Sequence, residues 1–153
     1  MIDEYYMNIA LKEAKKSIKY GDVPVGAVIV RDNEILAVAH NSREKDQKVI
    51  GHAEINALIK ANKKVDRYRL DNAIIYITKE PCLMCMGAIL SARISRIVYG
   101  AKDLRFGTEQ LANNNNFNHR CEIVGGVLKK QCEDVLKSFF KDLRSKNAGS
   151  RKN

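Results

Sequence analysis

The chain has 153 residues and a formal net charge of +9, from 27 Lys and Arg against 18 Asp and Glu. This length fits one domain, and a chain of this size buries about 70% of the surface that its unfolded form exposes, so its core needs no disulfides. No stretch reaches the ~20 apolar residues of a membrane span, and the charged N-terminus lacks the apolar segment of a signal peptide. We therefore expect a single domain over 1–153, a cytoplasmic location, reduced thiols and no membrane partner.

The first half of the chain predicts a helix, a β-hairpin and a second helix. Apolar residues recur at helical spacing over 2–20. Apolar runs at 25–30 and 35–40 flank a polar turn, which is typical of a hairpin. After a polar loop, residues 52–64 have the pattern of a short helix. The residues expected on the buried side of that helix are Ile55, Leu58 and Ile59.

The second half of the chain alternates strands and helices. In chain order its predicted elements are a strand at 72–78, a helix at 83–93, a strand that runs into a loop at 96–103, a short strand at 121–126 and a helix over 128–143. We predict an irregular segment at 104–120 with a flexible Asn run at 113–116, and a basic, flexible tail at 145–153. This order favours a mixed sheet with helices on both faces, where ligands bind at the carboxyl ends of strands.

Two cysteines three positions apart, Cys82 and Cys85, follow Pro81 at the start of a predicted helix. That spacing places both sulfurs on one face, and a helix N-terminus favours the thiolate that binds metal. His52 opens another predicted helix and is the best third ligand. Core packing or redox chemistry would explain the cysteine pair alone. One His and two Cys together leave tetrahedral zinc an open position for water, as in catalytic sites.

An acidic residue, Glu54, lies two positions after the candidate ligand His52. The order His52-x-Glu54, then Pro81-Cys82-x-x-Cys85, is the pattern of zinc-dependent base deaminases. Zinc lowers the pKa of its bound water to about 7, so hydroxide forms at neutral pH and attacks a ring carbon that carries an amino group. The ring nitrogen and the leaving amine each need a proton. We expect Glu54 to carry both protons, as the catalytic residue and not as a ligand.

Short pieces spread from Tyr5 to Leu143 match one enzyme family. They are DVPVGAV at 22–28, Asn41, HAEINAL at 52–58, YRL at 68–70, YIT-EPC-MC-GA across 76–88, SRI at 95–97, YGAKD at 99–103, NHR at 118–120 and SFFKDLR at 138–144. Many deaminases share the first of these motifs, and the NHR and SFF pieces narrow the choice. With them the chain resembles the bacterial TadA-type tRNA adenosine deaminases.

The resemblance implies a fold, an assembly and a reaction. The fold is a three-layer α/β/α sandwich of the cytidine-deaminase-like type, on a mixed five-stranded sheet. The assembly is a homodimer with one Zn²⁺ per subunit. The reaction is hydrolytic deamination of adenosine to inosine at the wobble position of a tRNA anticodon. The anticodon stem-loop opens, and attack at C6 of the flipped-out adenine releases ammonia.

The same resemblance implies substrate contacts. Val25 and Ala53 can wall an apolar slot for the base, and Asn41 would hydrogen-bond the purine. Asp103 and His119 match family positions that contact RNA near the target.

Other residues carry weaker expectations. Lys79 replaces an apolar residue that is more usual at its position, and we expect it to point away from the zinc. The segment 104–117 differs from the family's loop, so RNA contacts there do not carry over. Phe139 and Phe140 belong to the apolar face of the predicted helix over 128–143, and most of that face is expected in the core. The remaining expectations are buried, small hydrophobic roles for Cys121 and Cys132 and a structural role for His40.

Two other functions remain open. A free-base or nucleoside deaminase, for guanine, cytosine or a deoxycytidine nucleotide, would use the same zinc site. The basic charge and the NHR and SFF pieces argue against it, because a small-molecule enzyme does not need them. A zinc-stabilised RNA-binding protein would not be an enzyme at all. Glu54 argues against that reading, because a structural zinc site needs no acid beside an open position.

Overall fold

The computed structural model describes residues 1–111 and 119–152, with only the backbone described for 149–152. Within these residues one five-stranded sheet has the order β2-β1-β3-β4-β5. Its strands are β1 (Gly26–Arg31), β2 (Glu34–His40), β3 (Ile74–Lys79), β4 (Arg96–Ala101) and β5 (Glu122–Val124). The α-helices are α1 (Ile2–Ala14), α2 (Arg43–Asp46), α3 (Ala53–Val65), α4 (Leu83–Ser91) and α5 (Lys129–Lys152), with 3-10 helices at Lys15–Tyr20 and Glu109–Leu111.

The sheet is mixed, as the sequence predicted. β1 runs antiparallel to both β2 and β3, whereas β3, β4 and β5 are parallel. The β1–β2 turn places Asp32 and Asn33 at φ of 52° and 62°. Short polar residues tolerate this left-handed region, and two in succession match the twist of a tight hairpin. The predicted hairpin and mixed five-stranded sheet are therefore confirmed.

Each face of the sheet is covered by a pair of helices. Side chains alternate along β1, so Ala27 and Ile29 join a core with α3 and α4, and Val28 and Val30 join a core with α1 and α5. The result is the predicted three-layer α/β/α sandwich. No helix in the described part of the chain is long and apolar enough to span a bilayer.

Gly26 lets α1 lie unusually close to the sheet. A Cβ at this position would overlap the carbonyl oxygen of Ala10 in α1. The missing side chain lets the helix backbone contact the first residue of β1 directly. This contact fixes the start of β1, which lies at the edge of the sheet where the site is found.

Two expectations differ from the structure. The buried face of α3 is formed by Ala53, Ala57, Leu58 and Ala61, and Ile59 is 48% exposed. Alanines allow the helix to pack close to the sheet, and Ile59 falls on the outer side. The last helix was predicted to end at 143, whereas α5 continues to Lys152; the flexibility expected of 145–153 stays a prediction. The Asn run at 113–116 lies outside the described residues.

Candidate active site

A cavity of about 540 Å³ opens at one edge of the sheet. Val25 precedes β1, Asn41 follows β2, Lys79 ends β3 and Asp103 follows β4, and all four line it. Pockets for small molecules typically measure about 300–1,000 Å³. The sheet therefore places a cavity of ligand size at the strand ends, where ligands bind in folds of this type.

The middle of α5 forms another wall of the cavity, through Phe139, Phe140 and Leu143. The two aromatic rings lie 5.4 Å apart in an edge-to-face arrangement. The sequence predicted that most of this apolar face is core, and Cys132 is indeed only 1% exposed. Phe140 is 38% exposed and Leu143 is 40% exposed, because α5 runs past the sheet and its later apolar residues have no strand to cover. These residues face the cavity instead.

The starts of α3 and α4 bring three metal-ligand side chains together. His52 is the N-cap of α3 and Cys82 is the N-cap of α4, each with an extended backbone that directs its side chain away from its own helix. Cys85 lies in the first turn of α4 and is fully buried. The N-terminus of α4 carries a partial positive charge close to both sulfurs, and this charge favours the thiolate form of each cysteine.

The spacing of these three side chains fits a tetrahedral metal site. His52 Nδ1 lies 3.6 Å from Cys82 Sγ and 3.4 Å from Cys85 Sγ. Ligands at the usual Zn–N and Zn–S bond lengths, in a tetrahedral arrangement, stand about 3.6 Å apart. Their ligand atoms all lie within 4.8 Å of one another, and among the described residues they form the one such group. The donor set therefore fits zinc, with three protein ligands.

These donors compete for protons. Hydrogen bonds with Cys85 and His52 lower the pKa of the Cys82 thiol, although burial opposes this. The same sulfur–sulfur hydrogen bond, together with burial, raises the pKa of Cys85. The hydrogen bond with Cys82 raises the pKa of His52 against the effect of burial. A divalent cation among the donors would supply the charge that lets both sulfurs and the imidazole bind in their deprotonated forms.

Glu54 is a buried carboxyl beside the three donors. It is 4% exposed, and it lines the cavity from the first turn of α3. Burial raises its pKa, and the hydrogen bond of the carboxyl to its own backbone N–H partly opposes the rise. The Glu54 carboxyl also hydrogen-bonds with Cys85. A carboxyl whose pKa is raised toward neutrality can both accept and release a proton, which suits general acid–base chemistry.

Asn41 is held in place at the cavity wall between Val25 and Ala53. Its Nδ2 donates to the carbonyl oxygen of Val23 at 3.0 Å, and its Oδ1 accepts from the backbone N–H of Arg43 at 3.1 Å. A primary amide has two donors and two acceptor sites. One N–H and one lone pair of Asn41 therefore stay available for a polar edge in the cavity, beside two apolar surfaces.

Lys79 lies at the cavity, and its expected direction away from the zinc stays a prediction. It lines the cavity, and its Nζ lies 3.2 Å from Oδ2 of Asp103. Asp103 Oδ1 accepts the backbone N–H groups of Arg105 and Phe106. Burial opposes ionisation of Asp103, yet these N–H groups and Lys79 bring its pKa below the usual value. Asp103 is thus a fixed carboxylate on the wall where it was expected.

The structure does not bring His119 to the cavity. Its Nε2 lies 2.6 Å from the carbonyl oxygen of Ile94, which precedes β4. The cavity lies at the opposite end of β4, and the RNA contact expected of His119 stays a prediction. The imidazole instead connects the segments that lead into β4 and β5. Sequence order alone did not reveal which end of the sheet the segment reaches.

Two positioning residues escaped the sequence reasoning. Glu80 is 3% exposed, and its carboxylate accepts the backbone N–H groups of Asp103 and Glu109, each at 3.0 Å. Asn56 donates from Nδ2 to the carbonyl oxygen of His40 at 3.0 Å, which ties α3 to the end of β2. Both residues lie inside the sequence motifs that carry the family resemblance, and their place in those motifs could have indicated a role at the site.

Three residues outside the cavity have structural surroundings. Nδ1 of His40 lies 3.1 Å from Ser17 Oγ, as expected for a hydrogen-bonded structural histidine. Cys121 is 2% exposed and Cys132 is 1% exposed. Burial raises the pKa of each thiol to about 12, so neither is a reactive thiolate. The predicted burial of both cysteines is confirmed.

Comparisons with known proteins agree with this geometry. Residues 1–144 match the family model of MafB19-like deaminases. The chain is 44% identical to a tRNA-specific adenosine deaminase of Bacillus subtilis (strain 168), over 99% of this chain and 96% of that protein. A solved tRNA:A34 deaminase, from a study of A-to-I editing at the wobble position of transfer RNA, has a TM-score of 0.83 at 32% identity, over 86% of this chain and 99% of that chain. A guanine deaminase structure from Bacillus subtilis has a TM-score of 0.61 at 38% identity, over 65% of this chain and 64% of that chain.

Proposed function

This chain belongs to the family of tRNA-specific adenosine deaminases, and from that premise we propose that it converts adenosine to inosine by hydrolysis at the wobble position of a tRNA anticodon. One observation carries the proposal. Three donor atoms at the spacing of zinc ligands lie close to a buried carboxyl, and two of the donor residues line a cavity of ligand size together with that carboxyl. A structural metal site would need neither the carboxyl nor the cavity.

His52, Cys82 and Cys85 hold one zinc ion in this proposal. Zinc, when bound, activates a water molecule by lowering its pKa to about 7. The three side chains fix the geometry, because two start their helices and the third is fully buried. Asn56 supports this arrangement by joining α3 to His40 at the end of β2 and to Ser42 in the loop that precedes His52.

Glu54 moves the protons of the reaction. Water adds to C6 of adenine, and its two protons must reach N1 and the amino nitrogen before the C6–N bond breaks and ammonia leaves. Glu54 lines the cavity beside the ligands, and burial raises its pKa, so it accepts each proton and gives it up again. The carboxyl ends the cycle in its starting form.

The remaining cavity residues bind the substrate. Val25 and Ala53 cover the faces of the flipped-out base, and Asn41 uses its spare N–H and lone pair on the purine edge. Asp103 contacts the nucleotide at the rim. The homodimer, the single-domain organisation and the cytoplasmic location remain predictions.

A guanine deaminase is the second candidate, because one such structure aligns with part of this chain at 38% identity. One assay separates the two functions. Zinc-loaded protein is incubated with an anticodon stem-loop that carries adenosine at the wobble position, and in parallel with free adenosine, cytidine and guanine. We expect inosine in the RNA alone. Turnover of guanine or a free nucleoside, with no inosine formed in the RNA, would agree with the proposed deamination but contradict the proposed substrate.

A further inference from the structure

Two permanently charged cations line the cavity in the described part of the chain, Arg43 and Lys79. Arg43 is exposed on the short helix α2, at the outer side of the cavity. Lys79 lies deeper, at the end of β3 and three positions before the first cysteine of the site. Lys79 pairs in register with Ala101 of β4 and lines the cavity.

The ammonium group of Lys79 has unused hydrogen-bonding capacity. Its Nζ lies 3.2 Å from Asp103 Oδ2, and across 1–111 and 119–148 it has no other hydrogen-bond or ion-pair partner. A lysine ammonium carries three N–H donors. Its side chain is 30% exposed, whereas that of Asp103 is 11% exposed. The remaining donors therefore lie open to the cavity.

Carboxylates near Lys79 are already engaged by backbone N–H groups. Asp22 accepts two of them at the start of α2, and Glu80 accepts two from the segment after β4. Asp103 accepts two more through Oδ1. These N–H dipoles offset part of the negative charge. Glu44 and Glu54 also line the cavity, so an anion that approaches Lys79 meets three carboxylates with partly offset charge and two further acidic side chains.

We propose that Lys79 binds a phosphodiester group next to the target nucleoside, while it keeps its contact with Asp103. The base enters the slot between Val25 and Ala53, which offers no partner for phosphate. The phosphates on either side of the target must therefore stay near the rim, within reach of a long, partly exposed side chain. Lysine binds phosphate as a compact point charge. The inference rests on the proposed function, since only a polynucleotide substrate brings this group.

Lys79→Met tests the inference, because methionine keeps the long unbranched stem and removes the charge. Lys64→Met is the matched control. Lys64 also pairs with a carboxylate at 3.2 Å, that of Glu34, and lies outside the cavity. Dissociation constants for a labelled anticodon stem-loop are measured across a KCl series, in the Glu54→Gln background so that the RNA is not consumed. We expect Lys79→Met to weaken binding about tenfold and to reduce the log–log salt slope by about 0.7. Lys64→Met should leave both unchanged, and Lys79→Gln repeats the test if the methionine variant does not fold.

Stem-loops with a single neutral methylphosphonate linkage show which phosphate of the RNA Lys79 contacts. One stem-loop carries the neutral linkage 5′ of the target and another carries it 3′. The parent protein should lose about tenfold in affinity for one of them, and the Lys79→Met protein should lose less than about twofold for the same RNA. Equal losses for both proteins, or equal salt slopes for Lys79→Met and Lys64→Met, would overturn the role of Lys79. Inosine formation by the protein with Glu54 intact is scored separately, so a failure of the proposed function is seen independently of this result.

Discussion

Two clusters of ionisable side chains lie in this fold, and they are built on opposite principles. One joins Asp3 of α1 to Arg96 of β4, with two nitrogen–oxygen contacts of 2.8 Å, and Tyr76 donates its hydroxyl to the same carboxylate at 2.9 Å. The other is the group of His52, Cys82, Cys85 and Glu54 at the cavity. The first pairs a cation with an anion. The second assembles donors that compete for the same protons.

The pKa shifts express this difference. In the first cluster the hydrogen bonds that Arg96 donates to the Asp3 carboxylate lower the pKa of Asp3 and raise the pKa of Arg96, so each charged form is favoured. In the second cluster burial raises the pKa of Glu54, and Cys85 is also shifted away from its thiolate. In the first cluster each charged group has a partner of opposite charge, whereas in the second the acidic donors need a bound cation to stabilise their charged forms.

Removal of the Glu54 carboxyl should have the largest effect. Glu54→Gln and Glu54→Ala should lower kcat for deamination of the stem-loop by about 10³- to 10⁴-fold, since the proton carrier is lost. Zinc content, measured by atomic absorption, should stay near that of the parent protein because the three donors are intact. Glu44→Gln, which alters another carboxyl at the cavity, serves as the control. Near-parental turnover in both Glu54 variants would refute the assignment.

The metal site should be the next most sensitive to change. Cys85→Ser should purify with little zinc and melt at a lower temperature, because serine is a poor zinc ligand and metal binding is coupled to folding. Cys132→Ser introduces the same hydroxyl at another buried cysteine, on the far side of the sheet. That control should lose stability but keep its zinc. If both variants retained equal zinc, Cys85 would not be a ligand.

Sequence could predict the elements whose signals are local. Asp32 and Asn33 mark the hairpin turn by their short polar side chains. His52 and Cys82 both start helices, so their convergence followed from spacing and from the strand-end rule. The convergence of the three donor side chains could therefore be predicted before the structure, even though His52 and Cys82 are 30 positions apart.

Features that depend on tertiary packing were not predictable. The position of Lys79 at the cavity depends on its contact with Asp103, which lies after the next strand of the sheet. The end of the sheet reached by His119 depends on the course of the chain into β5. Ile59 faces outward because alanines occupy the contact with the sheet, although its hydrophobicity suggested the opposite. In each case a long-range contact decided the outcome.

The smallest predicted effect concerns stability and pH. Asp3→Asn should lower the free energy of unfolding at pH 7 by about 1 to 2 kcal/mol, since Arg96 loses a charged acceptor in a partly exposed pair. The folded-state pKa of Asp3 lies below the unfolded value, so its contribution is complete above the unfolded pKa and disappears as pH falls through the folded one. Urea titrations of the two proteins should therefore differ at pH 7, begin to approach each other below about pH 4, and coincide only once the pH lies below the folded-state pKa of Asp3. Asp71→Asn, in the fully exposed pair with Arg69, is the control and should leave stability unchanged. A difference for Asp3→Asn that persisted into acid would mean that shape, and not charge, makes this cluster stabilising.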